Sequence, residues 1–364
     1  MRCAVIIGVL VLVGGIFAFG CGGDSADSGA RGGPTRPYML GISTLPRNLN
    51  ADAYAEAFEL AGTAGDLVLI RKTPPWEDLL ADGTIGSSTT ETTAAELDAL
   101  SSQDLQLFFA IDPTDGTTGR DRLADLPASY EGSGFEDEEV RRAFAVYAEY
   151  VALNYKPRFL ALGVEMNLYF RHQPEDFDAF VSLYAETYQR VKQVSPETQV
   201  TLTFQYEDLL ARHPGTEPHF TDWQLLETFE PFVDAVALST YPSFAYSRVE
   251  DIPANYYTQL RGFTERPVVI ADAGFSSGEA QAGLETPGEL EQAAFIKRLL
   301  QDADAMAMPS VVWFAGWDPA YAEGTALDVY GDIGLLHADG TEKPAWRAWL
   351  EAARQPLVGA ESGN

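Results

Sequence analysis

Eight short apolar, β-branched or aromatic runs recur along the chain, spaced so that a helix fits between each pair. They are YMLGIST (38–44), DLVLIR (66–71), LQLFFAID (105–112), RFLALGVE (158–165), QVTLTFQ (199–205), VDAVALSTY (233–241), RPVVIADAGF (266–275) and PSVVWFAGW (309–317). Each has the length of a β-strand. Most are apolar almost throughout, the pattern of strands buried on both faces of a parallel sheet. Segments with helical spacing lie between them: Phe177, Phe180, Val181, Tyr184, Tyr188 and Val191 share one helix face, as do Val140, Phe144, Tyr147 and Val151. Thr286, Pro287 and Glu289 read as a capping box with proline at the first helical position, and KPAWRAWLEAAR (343–354) reads as the last helix. Eight strands alternating with eight helices predict an α/β chain folded as a single-domain (β/α)8 TIM barrel over residues 38–354. An open doubly wound sheet fits less well, because the first strand runs into GISTLPRN and lacks a GxGxxG phosphate loop.

The segments outside the barrel carry an address. Arg2 precedes an apolar stretch, Val5 to Phe19, that is too short for a membrane span and reads as a secretory signal over residues 1–20. Ala18, Phe19, Gly20 and Cys21 resemble the lipobox of bacterial lipoproteins, which implies that Cys21 is lipidated and anchors the mature chain to the cell envelope, at the outer membrane or cell surface. Residues 21–37 are Gly, Ser, Asp and Pro without a periodic apolar face and read as a flexible tether, with a disordered tail at 355–364. The other cysteine, Cys3, falls in the signal, so no disulfide is expected. The formal charge of −30, which loss of Arg2 takes to −31, repels phosphate backbones and excludes nucleic acid as a partner. A monomer is expected.

In a barrel of this kind the chemistry gathers where the strands end. Those residues are Ser43 and Thr44, Arg71, Asp112, Glu165 with Asn167, Gln205 with Glu207, Ser239 with Tyr241, Asp272, and Trp313 with Trp317. Two carboxylates three strands apart, a guanidinium, amides and aromatic faces suit a neutral polyhydroxylated ligand, because carboxylates and amides bond hydroxyls and aromatic rings stack on sugar C–H faces. The long polar stretch 112–135 reads as a loop over this rim.

The order of these motifs resembles clan A glycoside hydrolases, and is similar in particular to the family 53 endo-β-1,4-galactanases and their relatives. Glu165 in LGVEMN looks like the acid/base segment, Asp272 in VVIADAGF occupies the nucleophile position, and Tyr241 in STYP, Arg71, VVWFAGWD and GLLHADGTEKPAW (334–346) follow the family's sequence of motifs. The resemblance implies a retaining mechanism on a β-linked poly- or oligosaccharide. Glu165 and Asp272 would be catalytic, with Arg71, Asp112, Asn167, Gln205, Tyr241, Trp313 and Trp317 binding substrate, without cofactor or metal. Two positions depart from the family pattern: Val164 stands where an asparagine is usual, and Asp272 stands where a glutamate is. They imply as the alternative a glycan-binding lipoprotein of weak or absent turnover that uses the same groove.

Two other motifs point elsewhere. GFSSG (274–278) matches the G-x-S-x-G of serine hydrolases, but no helix pattern begins directly after it. His172, His213, His219 and His337 lack metal-ligand spacing, and Asp112/Asp115 and Asp328/Asp332 are at most loop pairs for calcium.

Overall fold

The computed structural model describes residues 34–214, 220–278 and 287–358. Cys21, the secretory segment, the tether up to residue 33, and 359–364 lie outside the described residues. The elements are β1 (Met39–Ser43), α1 (Ala51–Ala64), β2 (Leu67–Lys72), α2 (Trp76–Ala81), α3 (Ser87–Ser102), β3 (Gln106–Ile111), α4 (Glu138–Asn154), β4 (Phe159–Ala161), α5 (Met166–His172), α6 (Pro174–Val194), β5 (Gln199–Thr201), β6 (Thr203–Gln205), α7 (Tyr206–Leu209), α8 (Gln224–Thr228), β7 (Val236–Thr240), β8 (Val268–Ala273), α9 (Glu289–Met306), β9 (Ser310–Trp313) and α10 (Pro344–Ala353).

All strands pair in parallel, in the order β5-β4-β3-β2-β1-β9-β8-β7-β6. The two ends of that order, β5 and β6, are one run of chain broken only at Leu202. β5 pairs with β4 and β6 with β7, so this run closes the cylinder and the fold is an eight-staved (β/α)8 barrel.

Strand alternation sorts the apolar side chains into two groups. Leu67, Leu69, Phe108, Ala110, Phe159, Ala161, Val164, Ala237, Val269, Ala271 and Val312 cluster within the barrel. Their neighbours in sequence, among them Val68, Ile70, Phe109, Leu160, Leu238, Ile270, Val311 and Trp313, join the larger cluster between strands and helices. The breaks in this alternation place the functional groups. In β8, Ile270 pairs with Leu238 but Asp272, not Ala271, pairs with Ser239. Against β9 the same strand spends four residues, Ile270 to Ala273, where its partner spends three, Val311 to Trp313. One extra residue is therefore bulged into β8, and Asp272 is turned to the inner face together with Ala271.

Local chemistry accounts for where the structure departs from strict alternation of strands and helices. Between β7 and β8 the chain makes only short 3₁₀ turns, Pro242–Phe244, Val249–Asp251 and Thr258–Gly262. Prolines interrupt this stretch, and Tyr256 and Tyr257 cover the barrel instead, their ring centroids 5.2 and 5.4 Å from that of Tyr206. The helix expected from Pro287 starts two residues later, because Gly288 has φ +80° and separates the proline from α9; Thr286 lies outside the described residues. The end of the barrel remote from the cleft is fastened by Arg36. Its guanidinium forms two hydrogen bonds of 2.6 Å to Asp66, and its backbone bridges Leu357, drawing in residues expected to be tether and tail.

Candidate active site

Glu165 ends the fourth stave. The ladder continues past β4 through Thr203 N–H to Gly163 O at 3.0 Å, and the chain then turns sharply into α5 with Glu165 itself at φ +50°. That left-handed conformation is strained for a side chain bearing a Cβ, and it is held by Glu165 N–H donating to Thr203 Oγ1 at 2.8 Å. Asn167 locks the corner from behind. Its Nδ2 donates to Gln205 O and Asp208 Oδ2, and its Oδ1 accepts from Gln205 N–H at 2.8 Å.

Asp272 is completely buried. It accepts from Tyr241 Oη at 2.6 Å on one oxygen and from Arg71 Nη2 on the other. Tyr241 is fixed in turn by Glu207, which accepts its backbone N–H at 2.9 Å and also bonds Gln205, Thr240 and Tyr256. The guanidinium of Arg71 lies over the Phe314 ring at 5.6 Å.

Arg120, a residue that strand-end reading does not reach, completes the site. It belongs to the loop over the rim, where Asp115 caps a 3₁₀ turn and Gly119 and Arg120 both take positive φ, at +74° and +67°. These two left-handed residues turn the side chain back into the barrel, where it is 4% exposed. Its Nε donates to Glu165 Oε2 at 2.8 Å, and its Nη1 to Asp112 Oδ1 at 2.7 Å and Thr114 Oγ1 at 2.8 Å.

The two carboxyls are driven in opposite directions. Burial pushes Asp272 above the usual carboxylate range, and the Arg71 contact limits the rise. Burial would raise Glu165 as well, but the Arg120 guanidinium, aided by Arg71, holds it below that range.

A cavity of about 340 Å³ opens over these groups, lined by Ser43, Thr44, Tyr54, Arg71, Asp112, Arg120, Glu165, Tyr241, Phe314 and Tyr330 among others. A second lobe of about 410 Å³ shares Gly116, Thr117, Arg120, Glu165 and Tyr330 with it and continues past Leu168, His213, Phe244 and Val329. Glu165 and Arg120 thus border both lobes.

Of the residues read from the sequence, Arg71, Asp112, Glu165 and Tyr241 line the first lobe, and Asp272 sits directly beneath, bonded to two of them. Four others stand outside both lobes. Asn167 and Gln205 spend their amides on the α5–β6–α7 corner. Trp313 faces the helices and donates its indole N–H to Ile333 O at 2.9 Å, so the next residue, Phe314, is the one that enters the cleft. Trp317 packs in the outer cluster under Arg47. In the GFSSG segment the motif serine, Ser276, accepts the Gly278 N–H on its Oγ at 3.2 Å, and Ser277 Oγ donates to Asp332 O at 2.8 Å and accepts from Lys343 Nζ, which is also paired with Asp318 Oδ1 at 2.6 Å. Among the described residues no group of three or more His, Cys, Asp or Glu is placed to hold a metal ion.

No protein-family model matches the chain, and no curated protein sequence does. Solved structures do. An exo-β-1,4-mannosidase from Opitutaceae bacterium strain TAV5 superposes with TM-score 0.67 at 15% identity, over 88% of this chain and 60% of that one. A family 39 glycoside hydrolase from the gut symbiont Bacteroides cellulosilyticus WH2 gives 0.58 at 18% identity, over 87% and 64%. A GH5_18 protein from Streptomyces cattleya, solved in complex with GlcNAc, gives 0.67 at 18% identity, over 88% and 80%. The chain spans less than two thirds of the length of the first two. At these identities the likeness establishes the barrel fold.

Proposed function

We propose that the protein is a clan A-type glycoside hydrolase that cleaves a β-glycosidic bond by retention, with Asp272 as nucleophile. One observation carries the proposal: a completely buried carboxyl at the end of β8 is gripped by a guanidinium and a tyrosine hydroxyl directly under a cleft that a second carboxyl, Glu165, borders on both sides. That the fold's neighbours include an exo-β-1,4-mannosidase and other glycoside hydrolases supports it.

In the first half of the reaction an Asp272 oxygen bonds the anomeric carbon and the bond to the leaving oxygen breaks, its electron pair departing with the aglycone. Arg71 and Tyr241 favour the ionised form of Asp272 and aim it for this attack. In the second half a water attacks the same carbon, Glu165 takes its proton, and Asp272 is released. The glycone occupies the first lobe, where Ser43, Thr44, Asp112 and Arg71 meet hydroxyls and Phe314 and Tyr330 offer ring faces. The reading includes action on a β-glycoside outside the cytoplasm by a chain anchored through Cys21.

The second reading, a glycan-binding protein of little turnover, is favoured by the ion pair of Glu165 with Arg120, which withholds a proton from the leaving oxygen. Hydrolysis of 2,4-dinitrophenyl β-glucoside, β-mannoside and β-galactoside decides between them: release of dinitrophenolate that Asp272→Ala abolishes supports the enzyme, and saccharide binding with no release supports the binder. For the anchor, labelling with a radioactive fatty acid that Cys21→Ser eliminates is the expected result.

A further inference from the structure

The retaining mechanism asks two things of the carboxyl opposite the nucleophile: to give a proton to the leaving oxygen, then to take one from water. The site is built for the second task only. Arg120 Nε lies 2.8 Å from Glu165 Oε2 in a pocket where the arginine is 4% exposed, and Asp112 and Thr114 anchor the rest of the guanidinium at 2.7 and 2.8 Å. An arginine does not surrender its proton, so its charge stays beside Glu165. The other charged or titratable groups around Glu165 are Arg71 and His213, which also favour its ionised form, and Asp272, Asp112, Tyr241 and Tyr330.

The second lobe agrees with this. Where it extends beyond Glu165, its wall is supplied by Leu168, Pro214, Phe244, Ala326 and Val329, with His213 among them. Among the described residues that wall carries no carboxylate or amide beyond Glu165 itself, whereas the first lobe adds Asp112 and the hydroxyls of Ser43, Thr44 and Tyr54. A flat apolar ring fits it better than a second sugar with hydroxyls all round.

Resting on the hydrolase reading, we propose that the substrates are β-glycosides of phenols: Arg120 makes Glu165 a dedicated base, and the second lobe receives an aromatic aglycone that leaves without being protonated by the protein. Asp272 displaces the phenolate, which carries off the electron pair of the broken C–O bond and takes its proton from bulk water. Water then attacks the glycosyl–Asp272 ester, gives its proton to Glu165, and frees the sugar and the Asp272 carboxylate. A phenol, with a pKa of about 10, departs far more readily unprotonated than a sugar alkoxide does.

The test is a leaving-group series on one glycone: the 2,4-dinitrophenyl, 4-nitrophenyl and phenyl β-glycosides and the β-1,4-linked disaccharide. For the protein as it stands, kcat/KM is expected to fall by at least 100-fold from dinitrophenyl to phenyl, and the disaccharide to be inert. Arg120→Gln, which frees Glu165 to carry a proton, is expected to flatten that dependence; if this variant does not fold, the series on the unaltered protein still decides. A dependence of less than about threefold, with the disaccharide turned over as well as the phenyl glycoside, overturns the inference and leaves the hydrolase standing. If no glycoside of any glycone is turned over, the hydrolase reading fails instead, and calorimetry judges the second lobe. Phenyl β-glycoside binding at least tenfold more tightly than the methyl β-glycoside upholds an aromatic site, whereas equal binding removes it.

Discussion

Tyr241 and Asp272 meet through a 2.6 Å hydrogen bond from the phenol to a carboxylate with no exposure to water. The donor is fixed from its other end, since its backbone N–H is bound to the buried Glu207. A hydrogen bond to a buried charge contributes roughly 1.5–3 kcal/mol. Tyr241→Phe is therefore expected to lower kcat/KM toward an aryl glycoside by about 10- to 100-fold. The acidic limb of its pH profile should also move up: the reaction needs ionised Asp272, burial already raises that carboxyl, and loss of a donor to the ionised form raises it further. An unmoved limb would show that the tyrosine holds shape alone.

In the proposed mechanism Glu165→Ala removes the base of the second half-reaction and nothing that the first half uses. A burst of phenol stoichiometric with protein is expected, followed by a steady rate lower by about 10²- to 10⁴-fold. Azide, a nucleophile that needs no base, should restore the steady rate and leave a β-glycosyl azide, which a single chromatogram detects.

Glu165 also links pH to stability. Its folded pKa is depressed by Arg120, so the stabilisation it adds is present above its unfolded pKa of about 4.3 and is lost as pH falls through the lower folded value. The difference in unfolding free energy between the protein and Glu165→Gln should therefore shrink steadily below about pH 4, as measured by urea titration at a series of pH values.

Gly274 follows β8, and a Cβ there would lie 1.8 Å from Ile333 Cδ1 and 3.1 Å from Tyr241 Cδ1. Gly274→Ala is expected to cost about 1–3 kcal/mol and to lower the melting temperature. Because the displaced neighbours include Tyr241, kcat should fall with it, whereas a mutation of equal cost in the outer cluster should leave kcat alone.

Much of this arrangement was legible in the sequence. Unbroken apolar runs gave the staves, and reading the polar residues toward the end of each run found Arg71, Asp112, Glu165, Tyr241 and Asp272, which the structure gathers at one end. The reading failed where period and position part company. Trp313 and Phe314 are adjacent and equally aromatic, and only the phase of β9 decides which faces the cleft. Asn167 and Gln205 stand at strand ends, yet their amides serve backbone groups and buried carboxylates of the corner, because the sharp turn after Glu165 leaves polar atoms that must be satisfied. Arg120 belongs to no strand. Its inward course depends on two consecutive left-handed residues, for which the only signal was a glycine directly before a basic residue in an acid- and hydroxyl-rich loop.

The extra residue in β8 shows how finely the reactive centre is poised. Counted by regular alternation, Asp272 belongs with Ile270 among the groups that greet the helices, where a carboxylate would have apolar company and no partner. A single inserted amino acid turns that misfit inward, onto Arg71 and Tyr241. The chemistry is thus written as a frameshift of the backbone against its own rhythm, and a deletion at Ala271 that leaves every functional side chain in the gene would erase it.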